Sequence, residues 1–271
     1  HNAEVLDIKI KGAIEALPNF NEPSENKKIF AFNTYEFGPQ INLAFKKFLL
    51  PNFITKGTSR YFNPRTNLNI GFNYQNRPDY VRSILNFSMG YQWRGSKTQR
   101  FFVYPFEVNS VYVKPSPAFQ AKLDSLNDPR LLYSYDTHLI PSGRFTWIFN
   151  NQEIKMNGRF LFIRANMEFS GLILTSLAKP LGLKKDEEGN YKVFDIKYSQ
   201  YIKPDVDVSY HLQLDPNNSL VYRIAAGIGF PVFNSRALPF EKSFFAGGAN
   251  SLRAWSARTL GPGSYQKLVN I

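Results

Sequence analysis

The sequence predicts an all-β chain that crosses a membrane as part of a β-barrel. Three observations predict it: long segments alternate apolar and polar residues, aromatic content is high while mean hydropathy is low, and the connections alternate in length. The chain has 271 residues, 43% of them apolar and 16% aromatic, including 25 Phe and 15 Tyr, yet its mean hydropathy is only −0.32. A barrel wall that faces lipid on one side and water on the other averages to such a value. No run approaches the roughly 20 apolar residues of a membrane helix, so any crossing is made by strands.

Taken in order, the clearest strands begin with "TNLNIGFNYQ", where Leu68, Ile70, Phe72 and Tyr74 share one face and Asn67, Asn69, Asn73 and Gln75 the other. In "VRSILNFSMGYQW", Leu85, Phe87, Met89, Tyr91 and Trp93 oppose Asn86, Ser88 and Gln92. "RFLFIRANMEF" sets Leu161, Ile163, Ala165, Met167 and Phe169 against Arg164, Asn166 and Glu168. "DVDVSYHLQL" sets Val206, Val208, Tyr210, Leu212 and Leu214 against Asp205, Asp207, Ser209, His211 and Gln213. Less regular alternation covers 4–16, 32–46, 100–113, 142–151 and 218–230, giving nine strands in all. Such lengths suit membrane strands of about 9–11 residues better than the ~5–6 of a soluble sandwich. Full charges along the polar faces, with Glu168 and Asp207 as candidate lumen carboxylates, suit a hydrated interior.

"RGSKTQ" (94–99), "NNQEIKMN" (150–157) and "LDPNNSL" (214–220) read as short turns. Segments 114–141 and 175–199 are long, and short periplasmic turns opposite long extracellular loops are the outer-membrane pattern. "NRPDY" (76–80) is a short exception on the long-loop side. A short helix is expected after Pro117 with Pro129 ending it, and "GLKKDEEGN" reads as an exposed loop tip.

There are no cysteines, hence neither disulfides nor thiolate metal sites. The net charge of +12 raises a nucleic-acid reading, but the basic residues form only short clusters such as Lys46-Lys47, and no nucleic-acid partner is expected. His1-Asn2-Ala3-Glu4 reads as the interior of a longer chain.

The stretch "GIGFPVFNSRALPFEKSFFAGGANSLRAWSARTLGPGSY" resembles the barrel domain of the Omp85 superfamily, in its BamA/TamA-like branch. The resemblance rests on Pro239, Phe240, Phe245, Gly247, Gly248, Ser251, Leu252, Arg253, Trp255, Arg258, Gly261, Pro262 and Gly263. Ala254 departs from the family's usual glycine between the arginine and the aromatic residue. The resemblance implies a sixteen-stranded barrel, of which 1–271 covers about the third strand to the start of the twelfth. It implies that 231–265 is a loop folding back into the lumen, and that the periplasmic POTRA domains lie outside this chain. Arg253 is then expected to grip an acidic or polar lumen partner, and Trp255 to pack inside.

The implied function is an outer-membrane barrel of a Gram-negative bacterium that inserts β-barrel or surface proteins. Its partners would be outer-membrane lipids and lipopolysaccharide, unfolded client proteins, and accessory subunits of an assembly complex. A two-partner-secretion pore is the nearest alternative within the superfamily, and a passive porin would not need the arginine loop. An enzyme barrel needs a placed nucleophile and base. The chain has only His1, His138 and His211, so no catalytic residue, metal or cofactor is expected.

Overall fold

A computed structural model describes residues 4–15, 32–49, 63–126, 135–152, 158–178, 180, 182, 185, 189, 191–193, 196–233, 235, 237–248, 252–255 and 260. The chain divides into two compact units, His1–Leu238 and Pro239–Ile271. The first holds an antiparallel sheet whose long strands are β1 (Val5–Glu15), β2 (Thr34–Phe45), β3 (Arg65–Asn76), β4 (Tyr80–Arg94), β5 (Gln99–Pro115), β6 (His138–Asn150) and β7 (Arg159–Ser170). A two-residue hairpin, β8 (Lys192–Val193) and β9 (Ile196–Lys197), precedes β10 (Tyr201–Gln213), β11 (Ser219–Gly227) and the short β12 (Phe230–Pro231). The sheet order is β1-β2-β3-β4-β5-β6-β7-β10-β11, with β12 also on β10. Every long strand thus pairs with its neighbours in sequence, and all nine expected strands form.

Period-two alternation fixes the register, because a one-residue slip would exchange the two faces. One row of paired residues runs Asp7, Asn42, Asn69, Ser88, Glu107 and Ser142 across β1 to β6, polar throughout. Side chains of this face line a cavity of about 420 Å³ that takes in Asp7, Asn42, Asn69, Ser88 and Glu107. The opposite face is apolar and bare: Ile10 is 72% exposed, Leu85 49%, Phe106 50% and Ile224 76%. A water-soluble sheet would cover these groups, since each large apolar side chain left in water forfeits about 1.5–3 kcal/mol. Hydrocarbon covers them equally well.

Aromatic residues bracket this apolar face. Towards one end Trp93, Phe101 and Trp147 fall on one row, with Trp93 and Phe101 stacked at 5.3 Å. Towards the other, Phe37, Tyr74 and Tyr112 share the row of Ser83. On β4 the step from Ser83 to Trp93 corresponds to about 33 Å of strand. At the usual tilt of about 40° it rises ~25 Å, the height of a membrane barrel's apolar band between its aromatic girdles.

A bulge on β5 between Tyr104 and Glu107 keeps both residues on the polar face. Gly90 of β4 makes this possible, because a Cβ there would strike the Tyr104 ring, which lies 4.4 Å from the Arg144 guanidinium. At the ends of the sheet, Ser116 caps the helix α1 (Pro117–Leu126), its hydroxyl and carbonyl accepting the N–H groups of Phe119 and Gln120 at 3.3 and 2.8 Å. Proline suits the first helical turn, where its missing N–H is not needed, so the helix starts where the sequence places it. Phe119 and Leu123, one turn apart, are buried, and Phe119 meets Tyr135 edge-on at 4.9 Å. Pro129, expected to end the helix, lies outside the described residues. A second short helix, α2 (Leu172–Ser176), follows β7.

Connection lengths depart from the sequence reading at one point. Residues 77–79, 95–98, 151–158 and 214–218 are short links, as expected. Residues 46–64, however, make a long link at the end where the others are short. The sequence reading bounds both strands, at 46 and at Thr66, but does not set the gap between them against the alternation of connection lengths.

Two outcomes follow. Gly90→Val forces Tyr104 off Arg144 and should cost about 1–3 kcal/mol, as overpacking does, seen as a lower midpoint of heat-modifiable migration in SDS gels. In the β10–β11 turn, Asp215 accepts the Asn218 side-chain amide at 2.7 Å and the Asn217 N–H at 2.9 Å, and these bonds hold its pKa below the ordinary aspartate value. The turn's stabilisation is therefore complete above the unfolded aspartate pKa and is lost as pH falls through the lower folded value. Asp215→Asn should flatten the acid limb of a thermal-midpoint titration between about pH 5 and pH 2.

Candidate functional site

The unit Pro239–Ile271 carries the glycine and arginine motif. Pro239 leads into a single 3₁₀ turn, Phe240–Lys242, and its carbonyl accepts the Lys242 N–H and the Ser243 hydroxyl, both at 3.0 Å. Gly247 and Gly248 have φ of 95° and 90°, a region that side chains with a Cβ rarely enter. The Gly248 N–H donates to the Trp255 carbonyl at 2.7 Å, and the Trp255 N–H donates to the Leu252 carbonyl at 3.0 Å. Residues 252–255 are thus a hydrogen-bonded β-turn with Arg253 and Ala254 at its centre, and the glycine pair ties that turn down. Ala254 has no positive φ, so the departure from glycine costs the turn no backbone strain. Leu252 and Trp255 are both about half-exposed. Ser251, Arg258, Gly261, Pro262 and Gly263 lie outside the described residues.

The other unit places the two candidate carboxylates on the polar face of the sheet, and both are buried. Glu168 of β7 accepts the Tyr201 hydroxyl at 2.7 Å. Asp207 of β10 takes a two-pronged contact from Arg223 of β11, at 2.9 Å to Nε and 2.7 Å to Nη2, with Arg164 of β7 a further 3.7 Å away. Arg164 also approaches Asp205, which accepts from Asn166, which in turn accepts the Thr146 hydroxyl at 2.7 Å. On the neighbouring strands Arg144 meets Glu107 at 3.3 Å. A ladder of alternating charge, Arg164, Asp207 and Arg223, therefore runs across β7, β10 and β11, and a separate pair, Glu107 and Arg144, joins β5 and β6.

Sequence reasoning found Glu168 and Asp207 through the polar phase of their strands. It missed Arg144, Arg223, Tyr104 and Tyr201, because a partner's strand has to be registered before opposite charges can be matched. His211 lies on the same face, stacked on Phe160 at 4.1 Å, with its Nε2 3.2 Å from the Ser209 hydroxyl. Both Asp207 oxygens are engaged by Arg223, so this carboxylate is turned to the arginine and not to the imidazole.

The sequence matches the Omp85 superfamily domain over residues 23–269. The chain belongs to the Omp85 superfamily. That places the bare apolar face and its aromatic borders against the outer membrane, in a β-barrel wall whose polar face looks into the lumen. Membership in this superfamily also assigns the chain, in general terms, to outer-membrane protein insertion and translocation. No curated protein matches the chain.

For the ladder, Asp207→Asn leaves Arg164 and Arg223 facing each other without the charge between them. Arg223 is 65% exposed, so solvent screening keeps the loss of stability small. Added salt should narrow the gap between variant and parent in thermal unfolding.

Proposed function

We propose that this chain forms part of an assembly barrel of the BamA/TamA branch, which inserts unfolded β-barrel or surface proteins into the outer membrane of a Gram-negative bacterium. The supporting observation is the tied turn: two left-handed glycines hold Leu252–Trp255 with Arg253 at its apex, inside a superfamily domain. A guanidinium offers five donors in a fixed fork, so an arginine presented by a short closed turn is suited to lock the loop to a carboxylate or to carbonyls in a sheltered lumen. The links at 46–64, 95–98, 151–158 and 214–218 face the periplasm in this reading, and the connections at the other end face outward. Lipopolysaccharide and phospholipid contact the apolar face, and clients and accessory subunits meet the periplasmic side. The role is conformational and not catalytic: Ser209 and His211 serve the polar wall, and the barrel needs no cofactor.

The test is insertion of a urea-unfolded outer-membrane client by the full-length protein in proteoliposomes. Arg253→Ala should slow insertion on the order of tenfold, a loss of about 1.4 kcal/mol from the rate-limiting step, and should lower the temperature at which the barrel loses its fast gel migration. Equal rates and equal migration for variant and parent would contradict the reading. A steady open-pore conductance in planar bilayers, unchanged by Arg253→Ala, would point to a passive pore instead.

A further inference from the structure

The helix α2 (Leu172–Ser176) turns its apolar side away from the protein. It leaves β7 at Gly171, whose φ of 70° swings the chain out of the sheet. Ile173 is 53% exposed, and Leu177, the residue that closes the helix, is 46% exposed. These two lie one turn apart and share a face. Thr175, half a turn from both, sits on the side that meets the protein. A helix on a water-exposed surface does the reverse, burying its apolar stripe and keeping its polar side in solvent.

Strand alternation identifies the face of the wall that α2 covers. Tyr201 reaches Glu168 on the polar face and pairs with Ser170. Gln200 and Gly171, the next residues towards the end of the sheet, therefore turn to the apolar face. A Cβ on Gly171 would strike the Gln200 side chain and the Tyr198 ring, so all three stand on one side. There the Thr175 hydroxyl accepts the Gln200 side-chain amide, lies 2.9 Å from the Tyr198 hydroxyl and donates to the Gly171 carbonyl at 2.8 Å. Gln200 and Tyr198 are buried beneath the helix. The Ser176 hydroxyl, on the exposed side, donates to the Ile173 carbonyl at 2.7 Å. Both hydroxyls of α2 thus find partners inside the protein, as hydrocarbon requires and water does not.

We infer that α2 is a membrane seat at the border of the barrel wall, with Ile173 and Leu177 set among the acyl chains of the bilayer. The occupant is lipid because the exposed side of α2 continues the face that meets the membrane: Met167 and Phe169 of β7 share that face with Ile202 of β10 and lead directly to the helix. The Ile173 and Leu177 side chains carry no charge or hydrogen-bonding group that would orient a protein partner. Helices that lie in the interface bury their apolar side about 5–10 Å into the boundary between headgroups and acyl chains. The bonds from Thr175 to Gln200 and Tyr198 tie the helix to the start of β10, so the seat holds the connection between β7 and β10 down on the bilayer. The inference rests on the membrane-facing wall and not on the insertion role.

The experiment places a bimane fluorophore on single cysteines, Ile173→Cys and Leu177→Cys, in otherwise cysteine-free full-length protein reconstituted into phosphatidylcholine liposomes. Phe87→Cys on the apolar face and Lys122→Cys on the exposed side of α1 serve as lipid and water references. At 173 and 177, lipid carrying a doxyl quencher high on its acyl chain should quench at least about threefold more strongly than aqueous iodide, as at 87 and opposite to 122. Heat-modifiable migration checks folding. If one cysteine variant does not fold the other decides, and Ser176→Cys, on the same side of the helix, replaces both if neither folds. Iodide quenching at 173 and 177 equal to that at 122 overturns the seat, because it puts α2 in water. Quenching by neither agent also overturns it, because it puts another part of the protein over the helix. Position 87 scores the wall separately: lipid quenching there, without lipid quenching at 173 and 177, sinks the seat alone.

Discussion

Backbone hydrogen bonding between neighbouring strands is the constraint from which the rest of this structure follows. Hydrocarbon offers no partner to an N–H or C=O group, so a chain that crosses it with strands must satisfy each group on the adjacent strand. The unbroken order from β1 through β7 to β10 and β11 does this for every strand between the two outermost ones. Once the backbone is committed to the sheet, side chains have only two directions to take, and lipid and water divide them. The irregularities sit where a side chain must keep its direction: the β5 bulge holds Tyr104 and Glu107 on the polar face, and Gly90 clears the space the ring needs.

The two faces then call for different physics. Outward, aliphatic and aromatic groups need no specific partners, only a solvent as apolar as themselves. Inward, charges are sheltered and must be matched, so Asp207 stands between Arg223 and Arg164, and Glu107 beside Arg144. The motif-bearing unit works by another device, in which backbone conformation does the positioning. Gly247 and Gly248 take φ values closed to most residues, and the bond from Gly248 to Trp255 fixes the turn that presents Arg253.

Most of the fold was legible in the sequence, because period-two alternation is a direct image of the two solvents. All nine long strands follow from it, as does the polar phase of Glu168 and Asp207, while the helix expected after Pro117 was read from its proline and not from alternation. What alternation does not encode is pairing. Arg223 and Asp207 are 16 residues apart and meet only through the β10–β11 register, and Tyr201 reaches Glu168 across a connection that sequence periodicity does not span. The turn geometry around Arg253 was half legible: the motif marked the segment, but its glycine conformations and the tolerance of Ala254 appear only once the turn is seen to place Ala254 at ordinary φ.

The central claim is that β4 and its neighbours show alternate residues to hydrocarbon and to water, and the cysteine-free chain allows it to be measured residue by residue. Single spin labels at positions 85 to 89 of the full-length protein in liposomes report collision with oxygen, which concentrates in lipid, and with a water-soluble nickel chelate. Oxygen accessibility should peak at Leu85, Phe87 and Met89, and nickel accessibility at Asn86 and Ser88. Equal accessibility along the strand, or the opposite phase, would contradict a membrane-barrel wall with a hydrated polar face.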